Sequence, residues 1–127
     1  MGLRPPALGS LRSLAVLLLL AFAFTAASRW WSHRQDGALA TELATLVRAG
    51  DIRMLSSDTC SICASARAWF TAHRIAFSEC SIERDPVCRQ DFAATLAPGT
   101  PVLLVRGKPQ VGFNPERLRA AFSGVGG

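Results

Sequence analysis

Hydrophobic positions fall into two regimes along this chain. From Leu14 to Ala27 (LAVLLLLAFAFTAA) nearly every position is apolar, with no charge and a single hydroxyl residue. A helix formed there is apolar all round, and so short a chain offers nothing to cover it as a core helix. After the polar stretch Ser32–Gly37 (SHRQDG), read as a linker, the pattern becomes periodic. Leu39, Leu43, Leu46 and Val47 recur at helical spacing over 38–48, and Ala49-Gly50 stops that helix.

Short elements follow. Ile52–Ser56 (IRMLS) reads as a strand, and Ser57-Asp58-Thr59 as a turn rich in N-cap residues. Cys60–His73 then reads as a helix with Ile62, Ala66, Trp69 and Phe70 on one side, the aromatics as packing rather than a binding box. Ile75–Ile82 alternates weakly and suits a second strand. Asp85 as N-cap and Pro86 at the first helical position open a helix over 87–96. Pro101–Arg106 (PVLLVR) is a strongly apolar strand, Gly107-Lys108-Pro109 its turn, and Gln110–Phe113 the returning strand. Asn114-Pro115 caps a last helix through Phe122. The order is a leading helix and then β-α-β-α-β-β-α, a small mixed sheet with helices on both faces. It divides the chain into 1–31 as signal or anchor, 32–50 as linker and leading helix, 51–123 as the folded domain and 124–127 as a tail.

Charge changes the picture only at the N-terminus. Arg4 and Arg12 precede the apolar run, as in the positive region of an export signal. The small residues of Ala21-Phe22-Ala23 and Thr25-Ala26-Ala27 suit a signal peptidase. Against cleavage, Arg29-Trp30-Trp31 resembles an interfacial aromatic belt, and counting from Leu11 or Ser13 to Trp31 brings the span near membrane thickness. An uncleaved membrane anchor is the preferred reading and a cleaved, exported form the alternative. Both place the domain outside the cytoplasm, periplasmic in a bacterium, although Arg29, His33 and Arg34 weaken the charge asymmetry. Without Arg4 and Arg12 the net charge falls from +5 to +3, spread along the chain. That gives no basic stripe for nucleic acid, and a monomer is expected.

Candidate chemistry resides in four cysteines: Cys60, Cys63, Cys80 and Cys88. Cys60-x-x-Cys63 stands where a strand hands over to a helix. Free N–H groups and the positive dipole end there favour a thiolate, making Cys60 the exposed attacker. Cys63, a turn deeper, is placed to resolve a mixed disulfide. Arg67 reads as solvated. Asp58 opposes the dipole and pushes the Cys60 thiol up.

These residues, together with Gly99-Thr100-Pro101-Val102 and Gly112-Phe113 before a capped helix, resemble the glutaredoxin branch of the thioredoxin-like superfamily over residues 51–122. The resemblance implies a thioredoxin-like, glutaredoxin-type α/β fold with a mixed four-stranded sheet flanked by helices. It also implies thiol–disulfide oxidoreductase activity on protein thiols or glutathione. Thr59, Thr100 and Pro101 become substrate-binding candidates, with a cis Thr100-Pro101 bond facing the cysteines; the residues alone leave a trans proline open. Three departures weigh against glutathione more than against thiol exchange: Ser61-Ile62 between the cysteines, no basic residue shortly before Cys60, and Gly112 without a second glycine. No cofactor is required.

Cys80 and Cys88 are close enough in sequence to form a disulfide; unpaired thiols and an electron relay to Cys60 and Cys63 are the other readings. C-x2-C-x16-C-x7-C is a poor zinc pattern, and no metal is expected. His33 and His73 read as linker and helix-end residues. The rival to an enzyme is a non-catalytic binding or metal-delivery module with the same fold.

Overall fold

The computed structural model describes residues 8–124, in the order α1 (Leu8–Leu46), β1 (Ile52–Ser56), α2 (Ser61–Ala72), β2 (Ser78–Ser81), α3 (Pro86–Ala94), β3 (Val102–Val105), β4 (Lys108–Val111) and α4 (Pro115–Phe122). It divides into two compact units, one up to Asp36 and the other from Gly37 onward. Arg4 of the expected basic flank and residues 125–127 of the expected tail lie outside the described residues.

In the first unit, α1 exposes large apolar side chains from Leu11 to Trp31 and is long and apolar enough to cross a membrane. At 1.5 Å per residue, Leu8 to Asp36 runs about 43 Å, against a hydrocarbon core of ~30 Å. The Arg34 guanidinium lies 3.9 Å from the centre of the Trp30 ring. Ser32–Gly37, expected as a linker, is helical instead, and His33 with it. The segment contains no proline, and a helical glycine costs only about 1 kcal/mol relative to alanine. Gly37 therefore does not stop a helix whose next turns carry Ala40 and Leu43, both buried.

In the second unit the four strands form one sheet in the order β2-β1-β3-β4, with β1 parallel to β2 and antiparallel to β3. Alternation along the strands sorts the core into two faces. Ile52, Met54, Leu103 and Val105 meet Leu43, Val47, Ala66, Phe70 and Leu118 from α1, α2 and α4, with Val47 just beyond the end of α1. Leu55 and Val102 meet Cys88 of α3, with Cys80, Ile82 and Phe92 alongside. The fold is thus the expected mixed four-stranded sheet flanked by helices.

Local chemistry sets the boundaries. Asp85 accepts from the Val87 and Cys88 amides, with Pro86 beginning α3, and Asn114 accepts from the Arg117 amide to open α4. Pro109 sits on the edge strand β4, where a missing N–H costs least. The β3–β4 turn falls at Arg106-Gly107, with φ 50 and 81, one step earlier than expected. Two consecutive positive φ values match the twist of a two-residue hairpin. β2 begins only at Ser78, because Ile75, Ala76 and Phe77 are spent on the core before pairing starts.

Candidate active site

β1 ends at Ser56, and four residues later Cys60 caps α2. Its backbone is extended, and its Sγ accepts from the Cys63 amide at 3.0 Å. The Cys60 amide donates to the Ser57 carbonyl at 3.3 Å, and the Cys60 carbonyl accepts from Ala64 at 3.2 Å. The sulfur thus takes the place a serine or aspartate oxygen usually holds at a helix start, under the free amides of the first turn. Cys60 and Cys63 form a disulfide with Cα atoms 5.2 Å apart. They differ in access: Cys63 is fully buried, while Cys60 is only half-buried.

Antiparallel pairing of Leu55 with Val102 brings the start of β3 to the same end of the sheet. Thr100-Pro101, one step earlier, is therefore beside the end of β1 and is cis. Pro101 is buried and Thr100 half-buried. The Pro101 carbonyl accepts from the Gly112 amide at 2.8 Å, with Gly112 at φ 80, so the end of β4 fixes this proline in place. Thr59 is exposed in the turn before Cys60.

Cys80, in β2, is bonded to Cys88 in the first turn of α3, with Cα atoms 6.0 Å apart. All described cysteines are therefore in disulfides. Among the described residues no three His, Cys, Asp or Glu side chains gather as a metal site.

A polar network that the linear sequence does not advertise surrounds Cys60. Arg67, expected to be solvated, is exposed and also grips Glu79, its Nε donating at 2.7 Å. This pair lowers the Glu79 carboxyl below its usual range, chiefly through the Arg67 hydrogen bond. The Ser56 hydroxyl lies within reach of both Glu79 (2.8 Å) and the Cys80 carbonyl (3.0 Å), and its one proton serves one at a time. Asp58 pairs with Arg84 at 2.8 Å, which offsets the opposing charge expected from it. Glu83 accepts from the Ser57 hydroxyl (2.6 Å), the Ser81 hydroxyl (2.9 Å) and the Asp58 amide (3.2 Å). Asp58, Cys60, Arg67, Glu79, Cys80 and Arg84 help to line a cavity of about 440 Å³. Only the parallel register, with Ser56 opposite Ser81, brings the 79–84 segment to the cysteine turn.

The Glu83 bonds have a measurable consequence. The Ser57 and Ser81 hydroxyls, in that order, hold its carboxyl down at about 2 against an ordinary 4.5. A depressed folded-state value contributes stability that is present above 4.5 and lost as pH falls through 2. Denaturation midpoints measured between pH 5 and pH 2 are expected to fall over that window, and less steeply in Glu83→Gln. A Glu83 carboxyl resonance titrating at 4.5 would refute the assignment.

No curated protein sequence matches the chain. Residues 52–110 match the Glutaredoxin family model. Among solved structures, the crystal structure of a mutant of the thioredoxin-like protein BC3987 is similar. It shares 19% identity at a TM-score of 0.53, over 58% of this chain and 96% of that one. Residues 52–110 are accordingly similar to the Glutaredoxin family on a thioredoxin-like fold, and a long apolar helix precedes them in this chain.

Proposed function

We propose that this protein is a membrane-anchored thiol–disulfide oxidoreductase in which Cys60 attacks and Cys63 resolves. The observation that carries the reading is the asymmetry of the pair: a half-buried Cys60 with its sulfur bonded to an amide of the helix start, and a fully buried Cys63 one turn deeper. Amides and dipole stabilise the Cys60 thiolate relative to the thiol, so the nucleophile is present near neutral pH.

In the reducing direction the Cys60 thiolate attacks one sulfur of a partner disulfide. The partner's S–S bond breaks, a mixed disulfide forms on Cys60, and the departing sulfur takes a proton. Cys63 then loses its proton and attacks Cys60, releasing the second partner thiol and leaving the Cys60–Cys63 disulfide. Two electrons pass from the dithiol to the partner; the reverse sequence oxidises a partner dithiol. Thr59, Thr100 and Pro101 border the approach to Cys60 and present backbone groups to the incoming chain. Protein disulfides are the favoured substrate. Glutathione is the lesser one, since the turn before Cys60 carries Asp58 and no basic residue. The exposed apolar helix supports membrane attachment, and Arg4 and Arg12 ahead of it support a domain on the exported side.

Ultraviolet titration of thiolate absorbance in the reduced protein tests the reading. A Cys60 midpoint well below the usual ~8.5 is expected. A midpoint at 8.5 or above would leave a non-catalytic, disulfide-stapled module.

A further inference from the structure

We infer that the Cys80–Cys88 disulfide is a second, reducible bond that sets the reactivity of Cys60 by holding the Glu83 loop against the turn before it. The inference rests on Cys60 being the nucleophile. Seven residues separate the two sulfur-bearing positions, and four of them, 82–85, are the link between β2 and α3. From that link Glu83 accepts the Ser57 hydroxyl and the Asp58 amide, and Arg84 pairs with Asp58. Ser57 in turn accepts the Cys60 amide on its carbonyl. A continuous set of bonds therefore runs from the disulfide, through the loop, to the backbone that presents the Cys60 sulfur.

The link is held at both ends by α3 and β2. Arg89, next to Cys88, donates to the Ile82 and Glu83 carbonyls at 2.8 Å each. The Asp85 amide donates to Ser81 at 2.9 Å, and the Ile82 amide donates to Ser56 at 2.9 Å. Opening the disulfide frees α3 to move relative to β2 and loosens these bonds together.

Access and charge make the bond reducible by an external thiol. Cys88 is fully buried and Cys80 half-buried, so attack falls on Cys80. An external thiolate bonds to the Cys80 sulfur, the Cys80–Cys88 bond breaks, and Cys88 leaves and takes a proton. A second external thiolate attacks the first external sulfur, forming the external disulfide and freeing Cys80 as a thiolate. Arg53 Nη2 is 3.4 Å from that sulfur, a cation already in position, with Asp91 2.6 Å from the other nitrogen of the same guanidinium.

The direction of the effect follows from how the turn before Cys60 is held. With the loop in place, Glu83 accepts from the Ser57 hydroxyl and the Asp58 amide, Arg84 pairs with Asp58, and Glu79 pairs with Arg67. Released, the Glu83 carboxylate and the Arg84 guanidinium leave the turn together, so the net charge facing Cys60 changes little, and Asp58 keeps the Ser81 hydroxyl. What is lost is the tether that fixes the Ser57–Cys60 turn and keeps the sulfur under the free amides of α2. A sulfur held less firmly there is a less stabilised thiolate, so reduction of Cys80–Cys88 slows Cys60.

The test is the pH profile of Cys60 alkylation by iodoacetamide in the full chain, in detergent, with Cys63→Ser leaving Cys60 free. The same profile is then taken after adding Cys80→Ala and Cys88→Ala. Removing the staple is expected to raise the midpoint by up to about one pH unit and to slow alkylation at pH 6.5 about three- to tenfold. A low midpoint that does not move when the staple is removed overturns the inference and leaves the nucleophile reading standing. A midpoint of 8.5 in the stapled protein overturns both. If the unstapled chain fails to fold, Ser57→Ala in the stapled chain cuts the same tether without changing charge. It is expected to slow alkylation about twofold or more, and an unchanged rate overturns the inference.

Discussion

Replacing Cys60 with serine is expected to abolish disulfide exchange, while replacing Cys63 with serine is expected to trap the partner instead. The two outcomes differ because the two sulfurs occupy different positions. The Cys60 sulfur faces the cavity and accepts the Cys63 amide; the Cys63 side chain is sealed. A serine hydroxyl at residue 60 keeps the cap but is not ionised near neutral pH, so the attacking anion is lost. Removing an enzyme's nucleophile costs on the order of 10³-fold or more. With Cys63→Ser the attack still occurs, and nothing remains within one helical turn to release the partner. Mixed disulfide should therefore accumulate on Cys60, visible as an added mass in non-reducing mass spectrometry, which also names the partner. Far-UV circular dichroism should be the same for both variants, since the Cys60–Cys63 bond closes only a three-residue separation. Trapping by Cys60→Ser rather than Cys63→Ser would reverse the roles.

Much of this fold is written in short-range signals, and much of the site is not. Asp85-Pro86 and Asn114-Pro115 each mark a helix start locally, and both are caps in the structure. Cys60-x-x-Cys63 after an apolar strand is equally local. Strand ends are less legible, because whether Ile75 to Phe77 pair or pack depends on what lies above them. Ser32–Gly37 looks like a linker by polarity, yet exposed polar residues are compatible with a helix that has apolar segments on either side. The least legible feature is the ring of Glu79, Ser81, Glu83 and Arg84 around the cysteine turn. It arises from a parallel pairing across more than twenty residues, and composition carries no trace of register. The one hint is local: Asp58 before the cysteine needs a counter-charge, and Arg84 provides it.

Phe70→Ala is expected to be the most destabilising single truncation in the domain. Phe70 lies on the inner face of α2, seven residues after Cys63, and is fully buried. Its ring stacks on Phe77 at 4.9 Å and meets Trp69 and Phe113 edge-on at 5.7 and 5.4 Å. Two of these three partner rings, Phe77 and Phe113, come from segments outside α2, so no single helix shift can close the space a truncation leaves. Truncating a buried phenylalanine costs about 3–5 kcal/mol in transfer and cavity terms. Small domains are stable by only about 5–15 kcal/mol. For a domain of this size the loss corresponds to a fall in Tm of about 15–30 °C. Urea denaturation of the full chain should show the midpoint moving with the slope unchanged. Because Phe70 holds α2 to the sheet, and α2 carries both cysteines at its start, activity should decline at temperatures where the wild-type protein is still fully active. A loss below about 1 kcal/mol would mean that Trp69, Phe77 and Phe113 close the gap without the Phe70 ring, and that α2 is anchored by its smaller contacts at Ala66 and Cys63 instead.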